Sequence, residues 1–311
     1  MDNGFTLQEC MNILEEKENA DVFWMISERL NQGEQLSSFF HLYCPKEYRG
    51  YFEGFIRYMP FQESLEAAIH IVKAEEKQRT EIVHGMAYPV LLFAGMLAGI
   101  WLFCRFVLPS MISMMSGFHM DGTSYVVLQK AILFVSQLFL FLMGAVVIVI
   151  VFALQKKNLV KTYRILAGKF PDSVFVQYAS ADFARFYLEC EKRNVSTSEA
   201  MKILKTIDEK PLVAYIAGRM DEHLLKGETL EEAVRNSGVE AALLRFLRIA
   251  VYSSECEKML EGYLDMVHMR TERSIRRFSR IIQLFSYSSI GFVLVFVYRI
   301  LMMPMNMLQN L

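Results

Sequence analysis

Aspartate and glutamate are absent from residues 86–108, 132–154 and 281–305, three long apolar runs in a chain of 311 residues. An intramembrane aspartyl peptidase needs two carboxylates sharing a proton, so that chemistry is excluded. Strand-like alternation of Val, Ile and Thr is nearly absent outside those runs, which argues against a sheet. The five cysteines (Cys10, Cys44, Cys104, Cys190, Cys256) lie far apart without a C-x-x-C pair. Neither a disulfide framework nor a zinc site is therefore predicted. The six histidines form no H-x-x-x-H pair and read as isolated surface or interfacial side chains. Gly168-Lys169 lacks the upstream glycine of a G-x-x-x-x-G-K-[ST] loop, so the chain is not expected to hydrolyse nucleotides. A net charge of −1 leaves no electrostatic footprint for nucleic acid. No catalytic, cofactor or metal residue emerges, and a non-enzymatic role is expected.

What is present is a division into polar and apolar blocks, hidden by averages of 53% hydrophobic and 22% charged residues. Each apolar run exceeds the ~20 residues that cross ~30 Å of hydrocarbon as a helix. Three transmembrane helices are expected at 86–108, 132–154 and 281–305, with buried core helices as the alternative. Cations flank these runs asymmetrically. Lys73, Lys77 and Arg79 precede the first, while Lys156, Lys157, Lys161 and Arg164 follow the second. Arg270, Arg273, Arg276, Arg277 and Arg280 precede the third. The 109–131 loop offers only Lys130 against Asp121, and 306–311 has no charged side chain. By the positive-inside rule, residues 1–85 and 155–280 are cytoplasmic domains, and the 109–131 loop and 306–311 tail are extracytoplasmic. Met1-Asp2-Asn3-Gly4 does not open a signal-peptide pattern. The expected location is the cytoplasmic (inner) membrane, with several passes.

The two cytoplasmic domains say nearly the same thing. Gly33-Glu34-Gln35-Leu36 returns as Gly227-Glu228-Thr229-Leu230, a separation of 194 that also relates Arg79 to Arg273 and Arg105 to Arg299. Thr6-Leu7-Gln8-Glu9 and Ser196-Thr197-Ser198-Glu199 both read as capping boxes, 190 residues apart. The change from 190 to 194 places about four extra residues near 206–213, where Pro211 favours a loop. Each domain reads as a small helix bundle with turns at Gly33, Pro45, Pro60, Pro211, Gly227 and Gly238. The helix of Ala181 to Leu188, which leads the second copy, has no counterpart in the first. An N-terminally truncated first copy is expected.

The candidate positions concern membrane and partner contact. Arg105 and Arg299 fall near the outer ends of the first and third runs. They either snorkel to the headgroups or pack within a bundle or against a translocating partner. Arg273, Arg276, Arg277 and Arg280 share one helical face, suited to anionic lipid or to an acidic partner surface. Tyr88 and Pro89 read as the opening turn of the first membrane helix, tyrosine at headgroup level and proline where no N–H partner is needed.

With these residues assembled, the chain resembles the bacterial type II secretion system F family. That family supplies the polytopic platform protein of secretion, type IV pilus and competence-pilus machines. The likeness rests on the duplicated helical domain, the three spans and the Gly-Glu-x-Leu turns at Gly33 and Gly227. Phe183-Ala184-Arg185-Phe186, the Tyr88-Pro89-x-x-Leu92 stretch and the Leu108-Pro109 exit add to it. The family's Gly-Glu-x-Ser-Gly-like turn is replaced by Met59-Pro60-Phe61-Gln62-Glu63 and by Ser253-Ser254-Glu255-Cys256-Glu257, where only Glu255 survives. The resemblance implies a hexameric secretion ATPase, pilin-like subunits and membrane lipid as partners, homo-oligomerisation, and no direct role for nucleic acid. A membrane-anchored sensor or adaptor, binding a signalling partner through paired bundles, is the competing class.

Overall fold

The computed structural model describes residues 20–107, 155–253 and 255–308, with isolated positions between 109 and 141. No strand occurs among the described residues, as the all-α expectation requires. The helices are α1 Ala20–Asn31, α2 Leu36–Tyr43, α3 Lys46–Phe55 and α4 Phe61–Leu102, the last continued by a π-helical turn at Phe103–Val107. Then come α5 Lys156–Lys169, α6 Val174–Glu191, α7 Thr197–Leu204, α8 Pro211–Leu225, α9 Leu230–Asn236, α10 Ala241–Ser253 and α11 Cys256–Leu308. The expected second span at 132–154, most of the 109–131 loop and the Thr6 capping box lie outside the described residues.

Two compact units divide the chain. One takes residues up to Glu76 together with Leu159–Val267, and the other takes residues within Lys77–Asn158 and His268–Leu311. The first unit is built around α6. Phe183, Ala184 and Phe186 are fully buried there. Phe186 meets both Tyr51, edge-on at 5.3 Å, and Phe55, stacked at 6.5 Å, on α3. Residues from 51–72 and from 163–267 thus enter a single hydrophobic core. Helix α6, from the 155–280 stretch, packs against α3, from the 1–85 stretch. The two polar domains read from the sequence fold into one body.

Local geometry recurs at the spacing seen in the sequence. Gly33 and Gly227 both take left-handed backbone, φ 83° and 80°. Gly33 N–H donates to Leu30 O at 3.0 Å and Glu34 N–H to Arg29 O at 3.1 Å. Gly227 N–H donates to Leu224 O at 3.0 Å and Glu228 N–H to His223 O at 3.2 Å. Each is a Schellman stop, in which glycine avoids the Cβ penalty of positive φ. Even the side-chain pairs correspond: Arg29 with Glu34 at 3.5 Å, and His223 with Glu228 at 2.9 Å. Asn194, at φ 54°, closes α6 in the same manner, its neighbour Val195 donating to Cys190 O at 3.1 Å. Ser196 then caps α7 by accepting from Glu199 N–H. Pro211 stands in the first turn of α8, and the segment 205–210 before it is irregular.

The second unit contains the ends of two very long helices. α4 has 42 residues and α11 has 53. Two stretches of helix, Phe61–Val107 and Cys256–Val295, are long and apolar enough to cross a membrane, and only 6% of each apolar window is buried. A core helix of a soluble protein would bury most of that surface; this surface fits hydrocarbon. One expectation is overturned here. Pro89 is well inside α4 and does not open a helix. The segment 61–88 contains no other breaker, so the helix propagates through and absorbs the proline. The cost is the backbone donor for Gly85 O and crowding against that carbonyl.

Candidate functional site

Around Gly85 the two long helices come close. A Cβ on residue 85 would stand 2.7 Å from Ile275 Cγ2, so only glycine fits without displacement of a branched side chain. One turn further, Tyr88 and Tyr287 share a hydroxyl–hydroxyl bond of 3.3 Å, and Phe93 lies 6.4 Å from Phe285 between ring centres. Tyr88 is thereby tied to α11, while Pro89 sits beside it in mid-helix. Beyond these contacts an apolar groove of about 470 Å³ opens between the helices, lined by Leu91, Gly95, Gly99, Ile290 and Leu294 among others.

Arg273, Arg276, Arg277 and Arg280 are all exposed on α11. At 100° per residue they occupy one arc of about a quarter turn, as the sequence spacing requires. Arg276 pairs with Glu272 at 3.3 Å. Across the helix pair, His268 faces Glu81 at 3.4 Å, and on its own helix it lies 3.7 Å from Glu272. Arg105 is exposed in the π turn, and the side chain of Arg299 lies outside the described residues. Glu255 immediately precedes α11. Its carbonyl accepts from Met259 N–H at 3.1 Å, and its carboxylate meets Lys258 at 2.7 Å. That places a negative side chain at the positive end of the helix dipole. The structure thus gives Glu255 a helix-starting position rather than a shared site with the arginines.

The sequence reading missed a partly buried seam of charge in the first unit. Lys210, just ahead of α8, reaches Glu75 Oε1 on α4 at 2.9 Å and Asp182 Oδ2 on α6 at 3.2 Å. Arg185 holds the other Asp182 oxygen at 2.9 Å, and Tyr51 donates its hydroxyl to Glu75 at 3.2 Å. Two cations meet two carboxylates, so the cluster carries no net charge. Burial acts to lower the Lys210 pKa, but Asp182 and Glu75 together outweigh it and set it above the ordinary 10.5. Burial likewise pushes the Tyr51 phenol above its ordinary range, the Lys210 charge opposing it. One end of the seam is the Arg185 of the Phe183-Ala184-Arg185-Phe186 stretch.

A second pairing lies nearby in the chain. Arg193 bonds Glu189 Oε2 at 2.7 Å, the Glu189 carbonyl at 2.8 Å and the Glu63 carbonyl of α4 at 3.1 Å. Both Arg193 and Glu189 are nearly buried. The i,i+4 spacing of Glu189 and Arg193 is local, but nothing in the sequence marked their link to the Glu63 carbonyl, 130 positions away.

Burial pushes the Cys190 and Cys256 thiols up to about 12, which leaves neither a ready thiolate at neutral pH. Among the described residues no group of three or more His, Cys, Asp or Glu is placed to hold a metal ion.

No curated protein matches the chain. Residues 183–304, from within α6 to near the end of α11, match the family described as Type II secretion system (T2SS), protein F. The segment so matched contains the Phe183-Ala184-Arg185-Phe186 stretch, the Gly227 turn, Glu255 and the cationic arc, and over these residues the chain is similar to that family.

Proposed function

We propose that the chain is the membrane platform of a type II secretion, type IV pilus or competence machine. In that reading it couples a cytoplasmic hexameric ATPase to the assembly of pilin-like subunits. The observation that carries the reading is the protein F domain at residues 183–304, joined to a helical core from which α4 and α11 continue as membrane-length helices. The recurrence of turns, caps and a terminal long helix at a spacing near 194 supports a duplicated domain. A second span at 132–154, expected from the sequence and its flanking cations, would complete an inside–outside–inside–outside path.

Mechanistically, the first unit is the part that a motor moves. Its single core and buried charge seam resist internal shear, so a push on α6–α10 passes into α4 and α11 rather than being absorbed between the two copies. The helices then tilt or rotate in the bilayer and shift the subunits gathered around them. The chain itself performs no chemistry and needs no cofactor. It sits in the cytoplasmic membrane as a homo-oligomer, in contact with lipid.

Deletion of the gene tests this reading. Pilin-like subunits should accumulate in the membrane without assembly or export, and the full chain should restore them. Normal assembly in its absence would refute the platform role. The sensor reading predicts altered signalling with assembly intact.

A further inference from the structure

Helix α5 has a face that the core does not use and the platform role does not explain. Residues 155–171 hold five cations, Lys156, Lys157, Lys161, Arg164 and Lys169, and no acidic residue. Tyr163 anchors the inner face: it is fully buried and donates its hydroxyl to Gly238 O at 2.9 Å. Lys161 and Lys169 lie exposed on the side away from it, while Arg164, also exposed, reaches over the Tyr215 ring at 5.8 Å. Large apolar side chains are exposed among them. Ile165 is 62% exposed, Phe170 in the following turn 65%, and Val174 at the start of α6 76%. Cations interleaved with outward-facing apolar side chains are the pattern of a helix lying in a membrane interface. The exposed Asp172 stands between Phe170 and Val174, so the acid-free part of this face ends at Pro171.

Chain connectivity points the same way. α5 begins two residues after Leu154, the last residue of the apolar run 132–154. A helix that follows a membrane span so closely starts at the headgroup level. We propose that the outer face of α5, with Phe170 and Val174, rests on the anionic cytoplasmic lipid surface. There the cations pair with lipid phosphates while the apolar side chains enter the acyl boundary. This rests on the reading that residues 132–154 cross the membrane. Its consequence is that the first unit is held to the bilayer at a third place, beside α4 and α11.

Tryptophan fluorescence in nanodiscs containing brominated phospholipid tests the inference on the full chain. The native tryptophans are Trp24 and Trp101, both exposed, and each is replaced by Phe as required. A chain keeping only Trp101 reports on the membrane helix. A chain with Ile165→Trp alone reports on α5. In nanodiscs containing anionic lipid, both should be quenched, and the residue-165 signal should shift to the blue. Lys161→Gln with Lys169→Gln, or a wholly zwitterionic bilayer, should abolish quenching at 165 and leave Trp101 quenched. A residue-165 tryptophan unquenched in anionic bilayers, with Trp101 quenched, would overturn the lipid-bound α5 and leave the platform reading standing. In that case the face belongs to an acidic protein surface. Equal quenching at 165 in zwitterionic and anionic bilayers would overturn the role given to lipid charge. Loss of Trp101 quenching would remove the membrane reading on which the inference rests.

Discussion

Lys210 Nζ lies 2.9 Å from Glu75 Oε1, so one ammonium group joins the long helix α4 to the segment that starts α8. The same group also holds Asp182 on α6 at 3.2 Å. Residues separated by more than a hundred positions are thereby locked into one body.

Removing one partner should be costly. Lys210→Met strands Glu75 with only the Tyr51 hydroxyl, and loss of one member of a buried pair costs about 3–5 kcal/mol. Lys210 and Glu75 keep 20% and 23% side-chain exposure, so water offsets part of this and about 2 kcal/mol is expected. Glu75→Gln combined with Lys210→Met should cost less than the sum of the single changes. Denaturant titration of the full chain in detergent measures this; strict additivity would show that the pair does not couple.

Alkaline pH should loosen the same unit. The folded-state pKa of Lys210 stands above its ordinary 10.5, so its contribution is complete below 10.5 and is lost as pH rises through the folded value. Tyr51, raised above 10.0, has the same sign: the unfolded chain ionises first and gains as pH climbs past 10. Stability should therefore fall above about pH 10, and Tyr51→Phe should flatten the fall. Melting temperature against pH for the wild type and the variant measures it.

Phe186→Ala should disturb both copies at once. A fully buried phenylalanine cut to alanine costs about 3–5 kcal/mol through lost burial and the cavity left behind. Because Phe186 packs on Tyr51 and Phe55, limited proteolysis should open sites in 20–76 and 159–253 together. Cleavage confined to one segment would mean that the two copies fold independently.

Gly85→Leu should force α4 and α11 apart at Ile275, with overpacking of about 1–3 kcal/mol. Ile275→Ala in the same chain should recover part of that loss, measured by thermal unfolding in detergent. Full tolerance of leucine at position 85 would show that the helices do not approach there.

The matched turns should respond alike. Alanine at Gly33 or Gly227 forces positive φ on a residue with a Cβ, at about 1–2 kcal/mol each, and asparagine should cost less at both. Unequal losses, measured by thermal unfolding, would separate two turns that share the same hydrogen bonds.

Much of this architecture was legible because it is local. Gly33, Gly227 and Gly238 mark turns with positive φ, Ser196 caps a helix, and acid-free apolar runs give membrane-length segments, whereas Pro211, read as a loop, starts a helix. Each signal depends on neighbours within a few residues. Pro89 misled for the same reason: proline in a first turn and proline absorbed in mid-helix look alike until the preceding 61–88 is known to be helical. The seam of Glu75, Asp182, Arg185 and Lys210 was invisible, since charged residues at scattered positions read as solvated surface until packing brings them together. Phe183-Ala184-Arg185-Phe186 was legible as a family feature. Its physical role, a helix buried between two copies, was not.

Co-purification with the cognate secretion ATPase tests the central claim most directly. The full chain in detergent is the right bait, because its soluble core needs both 20–76 and 159–267. The account predicts that the ATPase is retained at low salt by the wild type and lost when Phe186→Ala or Lys210→Met opens the seam, while exposed-turn variants such as Gly33→Asn retain it. An ATPase that fails to bind the intact chain at low salt would contradict the platform reading.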